Sequence, residues 1–387
     1  MSNTRIYLDH NASAPLRGDA LRVMIDALQA VGNASSVHGE GRSARRMVER
    51  ARQQVAALAG ARAEHVTFTS GATEAATMLL TSEWVMGRAP LHFSQLYVCA
   101  ADHPCLLSGG RFARDQVHEL PVDNQGRLDL EALKERLAGH DKAKGLPLVA
   151  VHLANNETGV LQPVSEISRL AREHGATLIL DAVQAAGRIP LVDTIGNADF
   201  LILSSHKIGG PQGAGAIIGA SDLMMPRPLV RGGGQEKGHR AGTENVAAIA
   251  GFGAAAEAAA ADIGLMGEVE HMRDRLEAAV LRHFPAARIH GRGSNRLPNT
   301  SFFTLPDVKA ETAQIAFDLE GFAVSAGSAC SSGKVGPSHV LRAMGADAEA
   351  GAIRVSLGAA TKDEEIGKFI TVLERFARRR NAKETAA

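Results

Sequence analysis

The stretch Ser204-Ser205-His206-Lys207-Ile208-Gly209-Gly210-Pro211 places a lysine just beyond the apolar run Phe200-Leu201-Ile202-Leu203. A lysine at the mouth of a strand can act as an imine-forming nucleophile rather than as a solvated charge. The run before it is too apolar for a sheet edge, so its C-terminal end is expected over an α/β sheet, where such sheets bind ligands. Asp181 ends a second run, Thr177-Leu178-Ile179-Leu180, and Gln184 follows shortly after. A lysine and a buried acid opening from neighbouring strands into one crevice suit pyridoxal 5'-phosphate (PLP), whose ring nitrogen the acid keeps protonated so that the ring can accept electrons. Upstream, Ser70-Gly71-Ala72-Thr73-Glu74 lies between a strand candidate and an apolar helix. Backbone N–H groups there, those of Ala72 and Thr73 among them, converge with the Thr73 hydroxyl at a positive helix end and make a phosphate cup. An N-capping turn would use Thr73 equally well, and structural lysines and capping aspartates outnumber catalytic ones. The conjunction of Asp181, Gln184, Ser204, His206, Lys207 and a cup is what speaks for a site.

Other residues extend that reading. His103, in Ala101-Asp102-His103-Pro104 after Tyr97-Val98-Cys99, is expected to start a helix at another strand's end, from which its ring can stack on a planar group. Cys330 sits in Ser325-Ala326-Gly327-Ser328-Ala329-Cys330-Ser331-Ser332-Gly333, a run too small and flexible to pack a core, which exposes a nucleophile. Arg354, in a short strand candidate, can clamp a carboxylate with two parallel hydrogen bonds or simply be an exposed strand arginine. Cys99 and Cys105 flank His103 without zinc-site spacing and read as packing residues, so no metal is expected. Arg42 to Arg52 reads as a solvated helix face. Gly232-Gly233-Gly234 completes neither a P-loop nor a dinucleotide fingerprint.

These residues need a scaffold. The 387 residues, 45% hydrophobic and 22% charged, suit an ordinary globular chain of two domains. Lys+Arg and Asp+Glu are both 42, so no global field recruits nucleic acid or anionic lipid. Three cysteines make no disulfide framework and the N-terminus has no secretory pattern, so a cytoplasmic setting is expected. The alanine-rich run from Gly253 to Ala261 falls short of the roughly 20 residues of a membrane span.

Between about 50 and 220, short β-branched runs alternate with amphipathic stretches, which predicts a mostly parallel sheet covered by helices. The strand candidates are Val66-Thr67-Phe68, Leu96-Tyr97-Val98, Leu148-Val149-Ala150-Val151, the two runs above and Ala216-Ile217-Ile218. Pro163 to His174 has helical spacing with Gly175 as its stop. The alanine run and the pattern Met266, Val269, Met272, Leu276, Val280 predict a long connector leaving the large domain. Strands at Thr300-Ser301-Phe302-Phe303 and Ala352-Ile353-Arg354-Val355 and helices over 310–319 and 363–378 then predict a smaller α+β domain. The division expected is 15–260 for the large domain, with 1–14 and 261–387 forming the small one that carries the cysteine loop. Arg378-Arg379-Arg380 and the tail are expected to fray.

Taken together, these motifs resemble the cysteine desulfurases of the NifS/IscS type, within the class V aminotransferases of PLP fold type I. The resemblance covers nearly the whole chain. It rests on Tyr7-Leu8-Asp9-His10-Asn11-Ala12, Gly32-Asn33-Ala34-Ser35-Ser36-Val37-His38, the Ser-Gly-Ala-Thr-Glu cup, Asn155-Asn156-Glu157-Thr158-Gly159, Asp181-Ala182-Val183-Gln184, the His206-Lys207 pair, Arg240-Ala241-Gly242-Thr243-Glu244-Asn245 and the Cys330 loop. It implies that Lys207 carries the cofactor, Asp181 pairs with its ring nitrogen, Gln184 and Asn156 bond near its ring oxygen and His103 stacks on it. It implies that Ala72, Thr73, Ser204 and His206 hold the phosphate, with Thr243 supplied by the second subunit of a homodimer. The same resemblance implies that Asn11, Asn156 and Arg354 would bind L-cysteine and that Cys330 would take its sulfur as a persulfide for an iron–sulfur scaffold or other acceptor. His10, Ala14, Ala34 and Gln212 depart from residues frequent in the family, and none removes a catalytic group. An aminotransferase, a selenocysteine lyase and a non-catalytic sulfur carrier remain open alternatives.

Overall fold

Aliphatic runs between 66 and 219 form strands because both their faces are covered. The buried side chains fall into two apolar clusters, one including Val149, Leu180, Leu201 and Ala216, the other Ala150, Ile179, Ile202 and Ile217. The residues alternate along each strand, as period-2 geometry requires. The computed structural model describes residues 5–326 and 337–386, with side chains as far as 380. Cys330 therefore lies outside the described residues.

Among the described residues the larger sheet has nine strands. Its centre is parallel: Ala89–Cys99, Leu146–His152, Thr177–Asp181 and Phe200–Ser204 lie side by side, with Val117–Leu120 also parallel to the first. Gly215–Gly219 and Val66–Thr69 extend one side antiparallel, and Glu83–Met86 and Met224–Pro226 the other. The sheet is therefore a parallel centre with antiparallel flanks. The roughly ten residues between Ser204 and Gly215 are too few for a crossover helix, so the chain must return antiparallel. All the parallel strands end on one rim, which brings Cys99, His152, Asp181 and Ser204 to the same side.

A second, antiparallel sheet runs in the order Arg288–Ile289, Thr300–Thr304, Ile353–Ser356, Ser325–Ala326. Its core includes Leu276, Val280, Phe303, Phe317, Val355 and Phe369, and also Ile6 and Leu8 from the N-terminal segment. From Asp9 the chain crosses to the large sheet, where Ala14 N–H donates to His206 C=O and Arg17 N–H to Gly209 C=O, each at 2.9 Å.

Helices Val164–His174, Met266–His283 and Ala310–Leu319 occupy the expected places, the first stopped by Gly175 at φ 70°. The last helix runs over Asp363–Ala386, so the backbone stays helical where fraying was expected. The expected connector is present, though its first half is no free-standing bridge: in Val246–Asp262, Phe252 and a series of alanines are buried in the large core against the helices Gly18–Gln29 and Gly39–Ala59, and Met266–His283 then carries the chain into the small core through Met266, Val269 and Leu276. The Val246–His283 stretch is long and apolar enough by composition to cross a bilayer, yet 61% of its most apolar window is buried inside the fold. It is a core helix whose small side chains let its neighbours approach. Nor is the face up to Arg52 wholly solvated. Arg52 is buried over the Phe68 ring and forms a two-pronged pair with Glu236 at 2.7 and 2.8 Å.

Candidate active site

At the rim of the parallel strands lies a cavity of about 460 Å³. Its walls include Ala72, Thr73, His103, Asn156, Asp181, Gln184, Ser204, His206 and Lys207. Residues that the sequence places far apart are therefore brought together by strand ends and by the turns that follow them.

Lys207 closes a short 3₁₀ turn, Ser205–Lys207, after its strand. Its Nζ donates to the carbonyls of Asn11 and Ala12, each at 2.8 Å. Asp181 is buried at its strand end, and Oδ1 accepts the Val183 N–H at 3.0 Å. Burial pushes its carboxyl up, and the Val183 N–H opposes that shift only in part. Such a carboxylate favours a cationic partner. His206 is pulled down to about 4, by burial first and by the Lys207 charge second, so it is neutral at pH 7, with Nδ1 3.2 Å from Ser13 Oγ.

The cup is the N-terminus of Ala72–Leu79, whose cap is Gly71 and not Thr73. The capping alternative for Thr73 is thus displaced, and its hydroxyl stands exposed at the mouth. A side chain at Gly215 would place a Cβ 2.6 Å from the Gly71 backbone, so strand and cup pack in direct contact. Glu74 braces the turn by accepting from Ser70 N–H at 2.8 Å and from Arg240 Nε at 2.9 Å.

His103 caps the short helix Pro104–Leu107, its Nδ1 accepting the Cys105 N–H at 3.2 Å. Behind it stands a network that sequence reasoning missed. Asp102 is fully buried, with Oδ1 2.5 Å from His152 Nδ1 and Oδ2 accepting the Cys99 N–H at 2.7 Å. Gln162 donates to His152 Nε2 at 2.8 Å. The ligand atoms of Cys99, Asp102 and His152 lie within 4.8 Å of one another, but those of Asp102 and His152 are spent on these bonds and burial pushes the Cys99 thiol well up. The trio orders the strand ends.

The remaining candidates stand outside the cavity wall. Arg354 is fully buried rather than exposed: Nη1 donates to the Asn156 carbonyl at 3.0 Å, and Nη2 to Asp9 Oδ1 at 2.8 Å and Ser325 Oγ at 3.2 Å. The Asn11 amide is turned toward Thr300 and Asn299, so its contribution to the cavity is the carbonyl that receives Lys207. Thr243 is exposed and lines a smaller adjoining depression with Ser70, Gly213 and Arg240. The described flanks of the Cys330 segment are anchored beside these groups. Ser325 Oγ donates to Asp9 Oδ2 at 2.8 Å, Ser338 Oγ to Glu157 Oε2 at 2.5 Å, and His339 Nε2 lies 2.8 Å from the Asp102 carbonyl.

The model of the class-V aminotransferases matches residues 6–369. The chain belongs to that family. Among its members it groups with the cysteine desulfurases. It is 41% identical over 377 residues to a cysteine desulfurase of Cereibacter sphaeroides, covering 95% of each chain. It is 37% identical over 379 residues to the cysteine desulfurase IscS of Dictyoglomus turgidum, covering 96% of this chain and 94% of that one. The crystal structure of a NifS-like protein from Rickettsia africae superimposes with a TM-score of 0.85 at 34% identity, covering 96% of this chain and 99% of that one. The fold is accordingly that of PLP fold type I, and the class-V family is a PLP-dependent one.

Proposed function

We propose that this class-V aminotransferase homologue is a PLP-dependent cysteine desulfurase that converts L-cysteine to L-alanine and leaves the sulfur on Cys330 as a persulfide for an iron–sulfur scaffold or other acceptor protein. The observation that carries the proposal is one cavity presenting Lys207, a buried Asp181 and a helix N-terminus, with both described flanks of the cysteine segment anchored beside it.

The donor set fits the cofactor. Ala72 and Thr73 N–H groups, the hydroxyls of Thr73 and Ser204, and neutral His206 supply donors for a phosphate. Asp181, desolvated and short of cations, would hold the proton of a pyridine nitrogen; His103 would stack on the ring and Gln184 would meet its oxygen. Bound PLP supplies the electron sink on which the carbanion chemistry depends. Lys207 Nζ, once freed by the substrate amine, takes the proton from the substrate Cα and delivers it onward. Asn156 and Arg354 orient the substrate carboxylate, Arg354 being fixed in advance by Asp9 and Ser325. The Cys330 thiolate forms an S–S bond to the substrate sulfur as the Cβ–S bond breaks, so cysteine plus enzyme thiol gives alanine plus enzyme persulfide. Reconstituted with PLP, the protein should release alanine from L-cysteine in step with persulfide; protein that cannot be reconstituted, or that yields alanine without persulfide, would sink the assignment.

A homodimer belongs to the same proposal. Thr243 stands off its own cup, and Leu21, Ile25 and Leu28 form an exposed apolar stripe on helix Gly18–Gln29, Leu28 being 71% exposed. Ile25→Asp is expected to shift light scattering toward monomer and to weaken PLP retention. A monomer that holds PLP as tightly as the parent dimer would dismiss the shared site.

A further inference from the structure

We propose that Arg188 is a positioning residue: it fixes the side-chain amide of Gln184 with the oxygen turned away from the cavity, so that the NH₂ is what the site offers to the cofactor's ring oxygen. The inference rests on the PLP reading above. A glutamine amide has two ends of nearly equal shape, and only its hydrogen bonds decide which end points where. A guanidinium has donors only. Arg188 Nη1 lies 2.5 Å from both the backbone oxygen and Oε1 of Gln184, so the amide end facing it must be the oxygen. From the other side Gln184 Nε2 donates at 3.0 Å to the Asn11 carbonyl, which can only accept. The two contacts agree on one orientation. One N–H of Nε2 is thereby spent on Asn11, and the second remains for an acceptor in the cavity that Gln184 lines.

Arg188 does not touch that cavity. It borders a second one of about 240 Å³ on the far side of Lys207, walled also by His10, Arg17 and Gly358. Arg188 is only 6% exposed, and among the described residues no carboxylate pairs with it. The guanidinium is held by the two Gln184 oxygens and, at 3.3 Å, by the His10 carbonyl. A buried cation without an acid is costly to keep, and burial lowers Arg188 to about 9. At neutral pH it remains charged. Its positive potential therefore adds to the amide N–H at the ring oxygen. The other charged or titratable groups around this corner are Asp9, His10, Arg17, Asp262, which pairs with Arg17, Glu74, Asp181, His103, Cys105, His152, His206, Lys207 and Arg354.

With PLP held here, donor and charge together would favour a negative ring oxygen and so ease loss of the proton that governs the cofactor's visible absorbance. The test is a pH titration of the holoenzyme's visible absorbance. Arg188→Met should raise the midpoint by about one pH unit, as should Gln184→Met. The double variant should shift no further than Arg188→Met alone, because that change already removes both the charge and the fixed amide. Arg188→Lys, which keeps the charge and one donor, should fall between. If Arg188→Met is not recovered folded by circular dichroism, Arg188→Leu, which offers no donor to Gln184 Oε1, frees the amide and should show the raised midpoint. A folded Arg188→Met or Arg188→Leu holoenzyme with the parent midpoint overturns the inference, and so do shifts that add in the double variant. A parent protein that takes up no chromophore overturns the PLP reading itself, and this inference with it.

Discussion

Lys207→Ala protein reconstituted with PLP is expected to lack the visible band of a lysine-bound cofactor and to form alanine from L-cysteine about four orders of magnitude more slowly, the upper range for a lost proton-transfer group. The expectation follows from where the chain holds this amine. Lys207 leaves the end of a central strand, and its Nζ is received by the carbonyls of Asn11 and Ala12, supplied by the segment that joins the two sheets. Those carbonyls give a freed amine a fixed resting place from which to move a proton. The cup at Ala72–Leu79 and the acid at Asp181 remain in the variant, so PLP should still bind, more weakly. Parent-like turnover with a parent-like spectrum would remove Lys207 from the chemistry.

Cys330→Ala is expected to leave cofactor binding and the first substrate-induced spectral change intact, while abolishing persulfide and slowing alanine formation by about three orders of magnitude. In the proposed reaction Lys207 and Asp181 serve the steps before sulfur transfer, and neither depends on this thiol. The two other cysteines are poor substitutes. Cys99 is fully buried, and Cys105, though it borders the cavity, has its thiol pushed well up by burial and by Asp181, so both are protonated at neutral pH. Cys99→Ala and Cys105→Ala should keep persulfide and turnover within about twofold. Persulfide mapped by mass spectrometry to another residue in a fully active Cys330→Ala protein would refute the assigned role. Retained turnover of selenocysteine alone would point to a second substrate instead.

The parts of the site legible in sequence are those where one residue type closes an apolar run. Asp181 follows Leu180 directly and Lys207 follows Leu203 by four residues, and central strands leave their ends nowhere to go but the rim. The cup was legible for the same reason, since a strand, a Gly-containing turn and a helix follow one another without a break. Groups that act through long-range pairing left no such mark. Asp102 and His152 meet across neighbouring strands, and nothing local to either announces the other. Arg52 lies in a run of basic residues whose others are solvated, and only its register against Glu236, far along the chain, buries it. Asn11 sat inside a recognisable motif, yet which of its atoms faces the cavity depends on Thr300 and Asn299. The antiparallel return at Gly215–Gly219 is legible too, because the roughly ten residues after Ser204 leave no room for the crossover helix a parallel strand needs.

The alanine-rich helix Val246–Asp262 stands directly behind the turns that carry the chemistry. A Cβ at Gly210 would lie 3.1 Å from Ala255 Cβ, one at Gly187 2.8 Å from Ala259 Cβ, and one at Gly251 3.1 Å from Pro211. The backbone that follows Lys207 and the glycine that precedes Arg188 thus pack closely against this helix. Mutational tolerance along this helix should therefore be lopsided. Positions such as Glu257, where the side chain faces outward, can drift widely, whereas Ala255 and Ala259 can exchange only with residues no larger, since each added carbon would press on the turns at Gly210 and Gly187. What composition records as a monotonous tract is, in evolutionary terms, a ceiling on side-chain volume imposed by the active site's own geometry.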